Sequence, residues 1–224
     1  MKILAFNTST EYCSVALQQA HKKLSYVELC THKHTQYILP LIQRILQKSN
    51  MSLRELDFLA FSYGPGSFVG IRVGITIAQG LALGSDLPLV GISTFEILAQ
   101  AAWSRLLSPR VLIAINTNIG HVYWSVYQRN HLSNWQRQQN EIIIKPTDIL
   151  ERMKTLTGKW TCVGTGWKTY PELTEKTNLD LFISDIEIPH AEDMLPLAKS
   201  MFLAGSTILP ENIEPKYLSN AFFS

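Results

Sequence analysis

Charge and cysteine are both scarce in this chain. Charged residues make up 17% of its 224 residues, and the net charge is only +2 at pH 7. A balance this mild does not indicate a nucleic-acid or membrane surface. The three cysteines, Cys13, Cys30 and Cys162, lie far apart and lack the spacing of a metal site or a redox pair. We therefore expect buried thiols in a reducing compartment, by default the cytoplasm, and no metal.

Long uninterrupted hydrophobic runs are also missing. The N-terminus turns polar before Thr10, and the longest apolar stretch contains Arg72, Thr76 and Gln79. We therefore expect neither a signal peptide nor a membrane span. With 46% hydrophobic residues, the chain can bury the core of one large domain or two small ones.

The order of predicted elements is repeated along the chain. Alternation and apolar runs predict three strands, a helix, a strand, a helix, a strand and a helix in the first half, and the same order from Val111 onward. This duplication predicts an α/β protein of two similar lobes. We expect a partner-binding N-terminal lobe over 1–103 and a smaller second lobe over 104–224, which includes a C-terminal helix and tail.

The most informative segment is a glycine hinge that leads into an apolar helix. Gly64 and Gly66 supply backbone angles that other residues resist, and Ser67 is a good N-cap for the helix. The exposed N–H groups of such a helix start favour an anion. The candidate anion site comprises Gly64, Gly66, Ser67, Gly70 and Arg72. Arg72 needs an anionic partner, for which we favour an internal carboxylate, Glu96 or Glu11, over a bound anion.

Small residues recur at every fourth position of this apolar helix. Gly70, Gly74, Ala78 and Ala82 form a shallow groove on one face, and the opposite side carries Val73, Ile77 and Leu81. The helix is either the buried core helix of an α/β domain or a helix with one face open to a partner protein.

The duplicated order resembles the ribonuclease-H-like lobes of the superfamily that contains actin, the Hsp70 chaperones and the sugar kinases. Within it, four segments look like the TsaB (YeaZ) family. They are Met1–Glu11, Gly64–Gly74, Ala78–Ala82 and Val122–Trp124. The resemblance covers the first 125 residues well, and the long glycine block is its most specific element.

The resemblance implies a non-catalytic scaffold subunit, without a cofactor, of the machinery that makes threonylcarbamoyladenosine beside the anticodon of tRNAs reading A-starting codons. The paralogue TsaD performs the transfer and pairs with TsaB through the first two helices of the N-terminal lobe. The small ATPase TsaE joins the assembly, tRNA is met only indirectly, and TsaB alone forms a homodimer. The expected partner-binding residues are Tyr37, Leu41, Ile45, Ile71, Gly74, Ile75, Ala78, Gln79 and Ala82.

Amides occupy the two turns where active ATPases of the superfamily carry carboxylates. Asn7 and Asn116 are poor magnesium ligands and poor general bases, so we expect no catalytic residue here. The resemblance implies Asp at position 7, Thr at 69 and an acidic residue at 121, so Asn7, Val69 and His121 are departures. The alternatives are an active small-molecule kinase or ATPase of the superfamily, and a homodimeric regulator.

Three other features of the sequence suggest chemistry only weakly. His32 and His34 are a close pair, but their spacing does not suit zinc on a helix face, and we expect both to be solvated. Ser67 lacks the Gly-x-Ser-x-Gly pattern of a hydrolase elbow. An RNA-stacking surface would combine aromatic residues and arginines of the second half, which more often form core and rim. They are Trp124, Trp135, Trp160, Trp167, Arg129 and Arg137.

Overall fold

The computed structural model describes residues 1–117, 119–131, 134–216 and 218. The chain divides into two compact units. We call residues 1–97 with 189–216 the first lobe, and residues 98–188 the second lobe.

The first lobe is built on a five-stranded sheet in the order β3-β2-β1-β4-β5. Its strands are β1 (Lys2–Asn7), β2 (Tyr12–Gln19), β3 (Lys22–Leu29), β4 (Phe58–Gly64) and β5 (Leu89–Ser93). Its helices are α1 (His34–Lys48), α2 (Phe68–Ser85), α3 (Thr94–Leu106), which continues into the second lobe, and α7 (Ala191–Leu203). β1, β2 and β3 are antiparallel neighbours, whereas β4 pairs parallel with β1 and β5.

Alternating side chains of β1 supply two separate cores, because successive residues of a strand point to opposite faces. Leu4 and Phe6 pack with the buried residues of α1 and α2. Ile3 and Ala5 pack with α7. The sheet of the first lobe is therefore covered by helices on both faces.

The second lobe repeats this sheet in the order β10-β9-β6-β7-β8. Its strands are β6 (Arg110–Asn116), β7 (Val122–Arg129), β8 (Trp135–Ile144), β9 (Lys159–Val163) and β10 (Asp180–Ile183). Its helices are α4 (Pro146–Met153) and the single turns α5 (Gly166–Thr169) and α6 (Glu172–Glu175). Three antiparallel strands and two parallel ones recur in each lobe. The predicted fold class, two ribonuclease-H-like lobes, is confirmed.

The structure corrects two predicted boundaries. The C-terminal helix was expected in the second lobe, but Ala191, Met194, Leu195 and Ala198 of α7 are buried in the core that β1 and β2 share. The division also falls inside α3, at residue 97, and not at 103. The sequence predicts a C-terminal helix but not the sheet that this helix covers.

Hydrophobic alternation predicts a strand only at Ile142–Ile144, but β8 is much longer. It begins at Trp135, and most of its first six residues are exposed. β8 is an edge strand of the sheet. Polar residues are common on such a strand, which explains why hydrophobic alternation missed this stretch.

Candidate functional site

The glycine hinge anchors α2 to the turn that follows β1. Gly64 and Gly66 have φ angles of 110° and 156°, which favour glycine. The Ser67 hydroxyl accepts a hydrogen bond from the Gly70 N–H at 3.2 Å, as expected of an N-cap. The Ser67 N–H donates to the Ser9 carbonyl at 2.8 Å. Two N–H groups of the candidate anion site are thus already bonded within the lobe.

The small-residue face of α2 lies against the lobe's own backbone. The Thr8 hydroxyl donates to the Gly70 carbonyl at 2.7 Å. A Cβ at Gly70 would overlap the Thr8 carbonyl oxygen, and one at Gly74 would overlap the Thr8 hydroxyl. Ala78 and Ala82 continue this face and are buried. These small residues let α2 approach the sheet. The prediction that they form a groove for a partner helix is therefore wrong, because this face of α2 is buried in its own lobe.

Most of the predicted partner-binding residues are therefore not available at the surface. Those that fill the lobe's own core are Leu41, Ile45, Ile71, Gly74, Ile75, Ala78 and Ala82. Tyr37 is exposed, and Gln79 is half-buried and donates through Nε2 to the Pro210 carbonyl at 2.8 Å. A side chain packed on its own sheet is not open to another protein, so the surface that α2 leaves accessible is its outer face.

The outer face of α2 is apolar and exposed. Phe68, Val69 and Leu83 are 65%, 57% and 71% exposed. Arg72 is the one charged residue of α2. Its guanidinium carbon lies 3.4 Å from the centre of the Phe68 ring, and Nη1 donates to the Phe68 carbonyl at 3.0 Å. The proposed carboxylate partner of Arg72 stays a prediction.

α1 and α2 enclose a groove of about 380 Å³ along this outer face. Its lining residues are Thr35, Leu39, Phe68, Val69, Arg72, Val73, Thr76 and Ile77. We call these residues, together with Leu83, the α1–α2 surface. Apolar side chains dominate it, and Leu39 of α1 is 47% exposed. Contiguous apolar exposure of this kind is typical of a binding site.

A second stripe of small residues, not predicted from the sequence, lies on the outer face of α2. Thr76, Gly80 and Gly84 follow the same four-residue spacing as the inner stripe. Nothing lies within 4 Å of a Cβ built at Gly80 or at Gly84. Small residues facing open space let another helix approach closely. Both stripes have the same four-residue spacing in the sequence, so the spacing does not show which stripe faces open space.

By length and composition, α2 also resembles a membrane span. It is 18 residues long, and only 33% of it is buried in the structure. The buried helix of a soluble protein passes the same test. The informative quantity is the low burial, because it leaves an apolar face to be covered.

The Asn7 turn of the first lobe is buried, and the Asn7 amide is hydrogen-bonded within it. Asn7, Thr8 and Ser9 are at most 1% exposed. The Asn7 Oδ1 accepts from the Ser62 hydroxyl at 2.5 Å and from the Ser9 N–H at 3.1 Å. Its Nδ2 donates to the Pro189 carbonyl at 2.9 Å. An amide held in this way is structural, and it offers no anionic oxygen to a metal.

The corresponding turn of the second lobe is more open. Asn116 is half-buried and its Oδ1 accepts from the Tyr170 hydroxyl at 3.4 Å. The Thr117 N–H and hydroxyl both bond the His121 carbonyl, at 3.1 and 2.8 Å. Asn118, part of the same predicted turn, lies outside the described residues. Both turns therefore carry an amide as their first polar side chain.

Three of the four tryptophans considered for RNA stacking are core residues. Trp124, Trp160 and Trp167 are at most 4% exposed. The Arg129 guanidinium carbon lies 4.3 Å from the centre of the Trp103 ring and 5.7 Å from that of Trp135. Burial lowers the pKa of this guanidinium. These contacts favour the interpretation of the tryptophans as core and rim.

The two histidines of the close pair differ in burial. His32 is exposed, as expected, with a φ of 61°. His34 was also expected to be solvated, but it is only 4% exposed and its Nε2 lies 2.6 Å from the Thr10 carbonyl oxygen. The expectation for His34 is wrong because the helix that it begins packs directly on the sheet.

Known proteins resemble the chain over its whole length. The family model of tRNA N6-adenosine threonylcarbamoyltransferase, TsaD, matches residues 20–221. The tRNA threonylcarbamoyladenosine biosynthesis protein TsaB of Escherichia coli K12 is 47% identical, over 98% of this chain and 95% of its own. TsaB of Haemophilus influenzae is 40% identical, over 98% of this chain and 94% of its own.

Solved structures agree with these sequence relatives. YeaZ from Pseudomonas aeruginosa superposes with a TM-score of 0.83 at 31% identity, covering 96% of this chain and 100% of that one. A second Pseudomonas aeruginosa structure, described as similar to the peptidase YeaZ, has a TM-score of 0.88 at 33% identity, covering 97% and 99%. The chain therefore belongs to the broad family that the TsaD model describes and, within it, to the TsaB (YeaZ) proteins.

Proposed function

We propose that this protein is a non-catalytic scaffold subunit in the biosynthesis of tRNA threonylcarbamoyladenosine, and that it acts by binding TsaD through the α1–α2 surface. Its relatives carry the name of that pathway. The observation that carries the proposal is the exposed apolar outer face of α2, with Phe68, Val69 and Leu83 each more than half exposed.

The shape of this surface suits a helical partner. At about 1.5 Å per residue, the 18 residues of α2 span roughly 27 Å. Gly80 and Gly84 leave open space along it, and the groove beside α1 receives side chains. Covering such a face with the equivalent helices of a paralogue would bury apolar area from both chains, which drives association. In this proposal the two chains form a helix bundle across the interface.

The proposal of a non-catalytic role rests on the two turns. The Asn7 side chain is neutral and is hydrogen-bonded to Ser62, Ser9 and Pro189. Asn116 is also neutral, so neither turn supplies the carboxylate that holds a metal-bound water near phosphates. Within this proposal the transfer chemistry belongs to TsaD.

The same surface can pair two copies of this chain when TsaD is absent, because an apolar face exposed to water favours any complementary cover. In this scheme the homodimer and the TsaD heterodimer exclude each other. TsaE joins the larger assembly, tRNA is met only through the complex, and the site of action is the cytoplasm.

The test compares leucines of equal exposure on different helices. Leu83 on α2 is 71% exposed and Leu203 at the end of α7 is 68% exposed. Leu83→Glu and Leu203→Glu introduce the same charge, so only the location differs. We expect wild type and Leu203→Glu to form a one-to-one complex with TsaD of the same organism in light scattering. Leu83→Glu should weaken binding by about 30-fold or more, the effect of losing a hot spot.

Val69→Glu gives a second probe at the opposite end of α2. If Val69→Glu weakens TsaD binding as much as Leu83→Glu does, the interface extends along the whole of α2. Unchanged binding in both variants would place the interface elsewhere and remove the basis of the proposal. Independently, release of phosphate from ATP by the isolated protein above the level of a buffer blank would contradict the non-catalytic assignment.

A further inference from the structure

A cluster of two thiols and an imidazole lies apart from the outer faces of α1 and α2. It consists of Cys13 on β2, Cys30 just after β3 and His34 at the start of α1, with exposures of 0%, 1% and 4%. One ligand atom from each residue lies within 4.8 Å of the others. The proposed TsaD-binding role makes no use of these groups.

The fold brings the cluster together from separated positions. In the antiparallel register of β2 and β3, Cys13 lies opposite Glu28. Cys30, two residues further along, faces the same side of the sheet. The Cys30 N–H bonds the Glu11 carbonyl at 2.8 Å, and the Cys30 carbonyl accepts from the Lys33 N–H at 2.5 Å. This turn leads directly into His34, so three residues without a metal-binding sequence motif become neighbours.

The hydrogen bond of His34 decides which ring nitrogen is free. Nε2 lies 2.6 Å from the Thr10 carbonyl oxygen, which can only accept. Nε2 therefore carries the proton, and Nδ1 has the lone pair. Nδ1 is buried and has no hydrogen-bond partner among the described residues. Metal-binding histidines commonly donate their other N–H to a backbone carbonyl, which fixes the ring for ligation.

Charge selects the type of cation. Two thiolates and a neutral imidazole carry a charge of −2, so a divalent cation makes the buried site neutral. Sulfur and nitrogen ligands are the ones that zinc prefers. Zinc binds cysteine as the thiolate, so binding releases the two thiol protons to the solvent as two metal–sulfur bonds form.

We propose that Cys13, Cys30 and His34 Nδ1 bind a zinc ion in the first lobe, with the fourth position left to water. The two sulfurs lie 2.7 Å apart. Zinc–sulfur bonds of about 2.3 Å in tetrahedral geometry place the sulfurs roughly 3.8 Å apart, so the thiol side chains rotate away from each other on binding. The bound ion ties β2, the end of β3 and the start of α1 together.

The test uses the full-length protein, reduced and stripped with a chelator. After addition of Zn²⁺ and gel filtration, we expect about one zinc per chain, and a rise in Tm of roughly 5 °C or more. Cys13→Ser and Cys30→Ser should each lose the metal. Cys162→Ser is the matched control, since Cys162 is also a buried thiol of raised pKa but lies in the second lobe, and it should retain the metal.

A spectroscopic measurement keeps the test independent of whether the variants fold. Co²⁺ added to the reduced wild-type protein should give the charge-transfer absorption of thiolate ligation. No zinc uptake, no such absorption, or full retention of zinc in both serine variants would overturn the proposal. A Cys13–Cys30 disulfide in protein purified without reductant, with no metal uptake after reduction, would overturn it in favour of a redox pair.

Discussion

The two lobes have the same strand order but differ in the helices that cover their sheets. In the first lobe α1 and α2 have 15 and 18 residues, whereas in the second lobe α4 has 8 and α5 and α6 have 4 each. The outer side of α4 is charged, and Glu151 and Lys154 form an exposed ion pair at 2.5 Å. α2 exposes Phe68, Val69 and Leu83 instead. The exposed side of α4 is therefore charged, whereas the exposed side of α2 is apolar.

The two turns show the same difference between the lobes. The amide of Asn7 is buried and makes three hydrogen bonds, whereas Asn116 is half-buried and accepts from Tyr170. The first turn supports α2 through Thr8 and Ser9. In the first lobe, the turn at which the resemblance implies a carboxylate carries an amide and supports α2.

The largest expected effect separates the two faces of α2. Ala78→Glu places an unpaired charge at a position that is 0% exposed, and we expect a loss of roughly 3–5 kcal/mol in the free energy of unfolding, or no folded protein. Thr76→Glu, on the exposed face, should change that free energy by less than about 0.5 kcal/mol. Urea denaturation measures both.

TsaD binding tests the exposed face, where stability is expected to change little. Thr76→Glu should remain folded and lose binding, because Thr76 lines the groove. A folded Ala78→Glu protein that loses TsaD binding, beside a Thr76→Glu protein that keeps it, would show that the inner and outer faces had been assigned the wrong way round.

A smaller effect distinguishes the two turns. Asn7→Asp removes the donor to Pro189 and sets a carboxylate oxygen against that carbonyl, so we expect a loss of about 1–3 kcal/mol in stability. Asn116→Asp keeps an acceptor for Tyr170 at a half-exposed site and should cost less than about 0.5 kcal/mol. Thermal or chemical unfolding compares the variants. Equal losses would mean that the turns are equivalent after all.

The smallest effect compares one glycine from each of the two stripes of small residues on α2. Gly80→Ala adds a methyl group in open space within a helix, so the isolated protein should gain roughly 0.5–1 kcal/mol in stability. Gly74→Ala meets the Thr8 hydroxyl and should lose stability. The pairing of Gly80→Ala with TsaD, measured by calorimetry, should weaken if the partner helix passes close to Gly80. We therefore expect Gly80→Ala to stabilise the isolated protein and Gly74→Ala to destabilise it.

Much of the fold was predictable because local signals agreed. The order of strands and helices, the duplication and the Ser67 cap follow from apolar periodicity and glycine positions. The face of α2 was not predictable. The helix is apolar nearly all round and carries small residues at the same spacing on two sides, so periodicity cannot tell the side that needs to approach Thr8 from the side that needs a partner.

By itself, the sequence determined the two α/β lobes, the glycine hinge and the amides in both turns, because these depend on neighbouring residues. Only the tertiary structure decided which lobe α7 completes, which face of α2 stays open, and that Cys13, Cys30 and His34 meet. Those outcomes depend on which distant surfaces pack together, and that choice is made by the free energy of the whole core rather than by any local pattern.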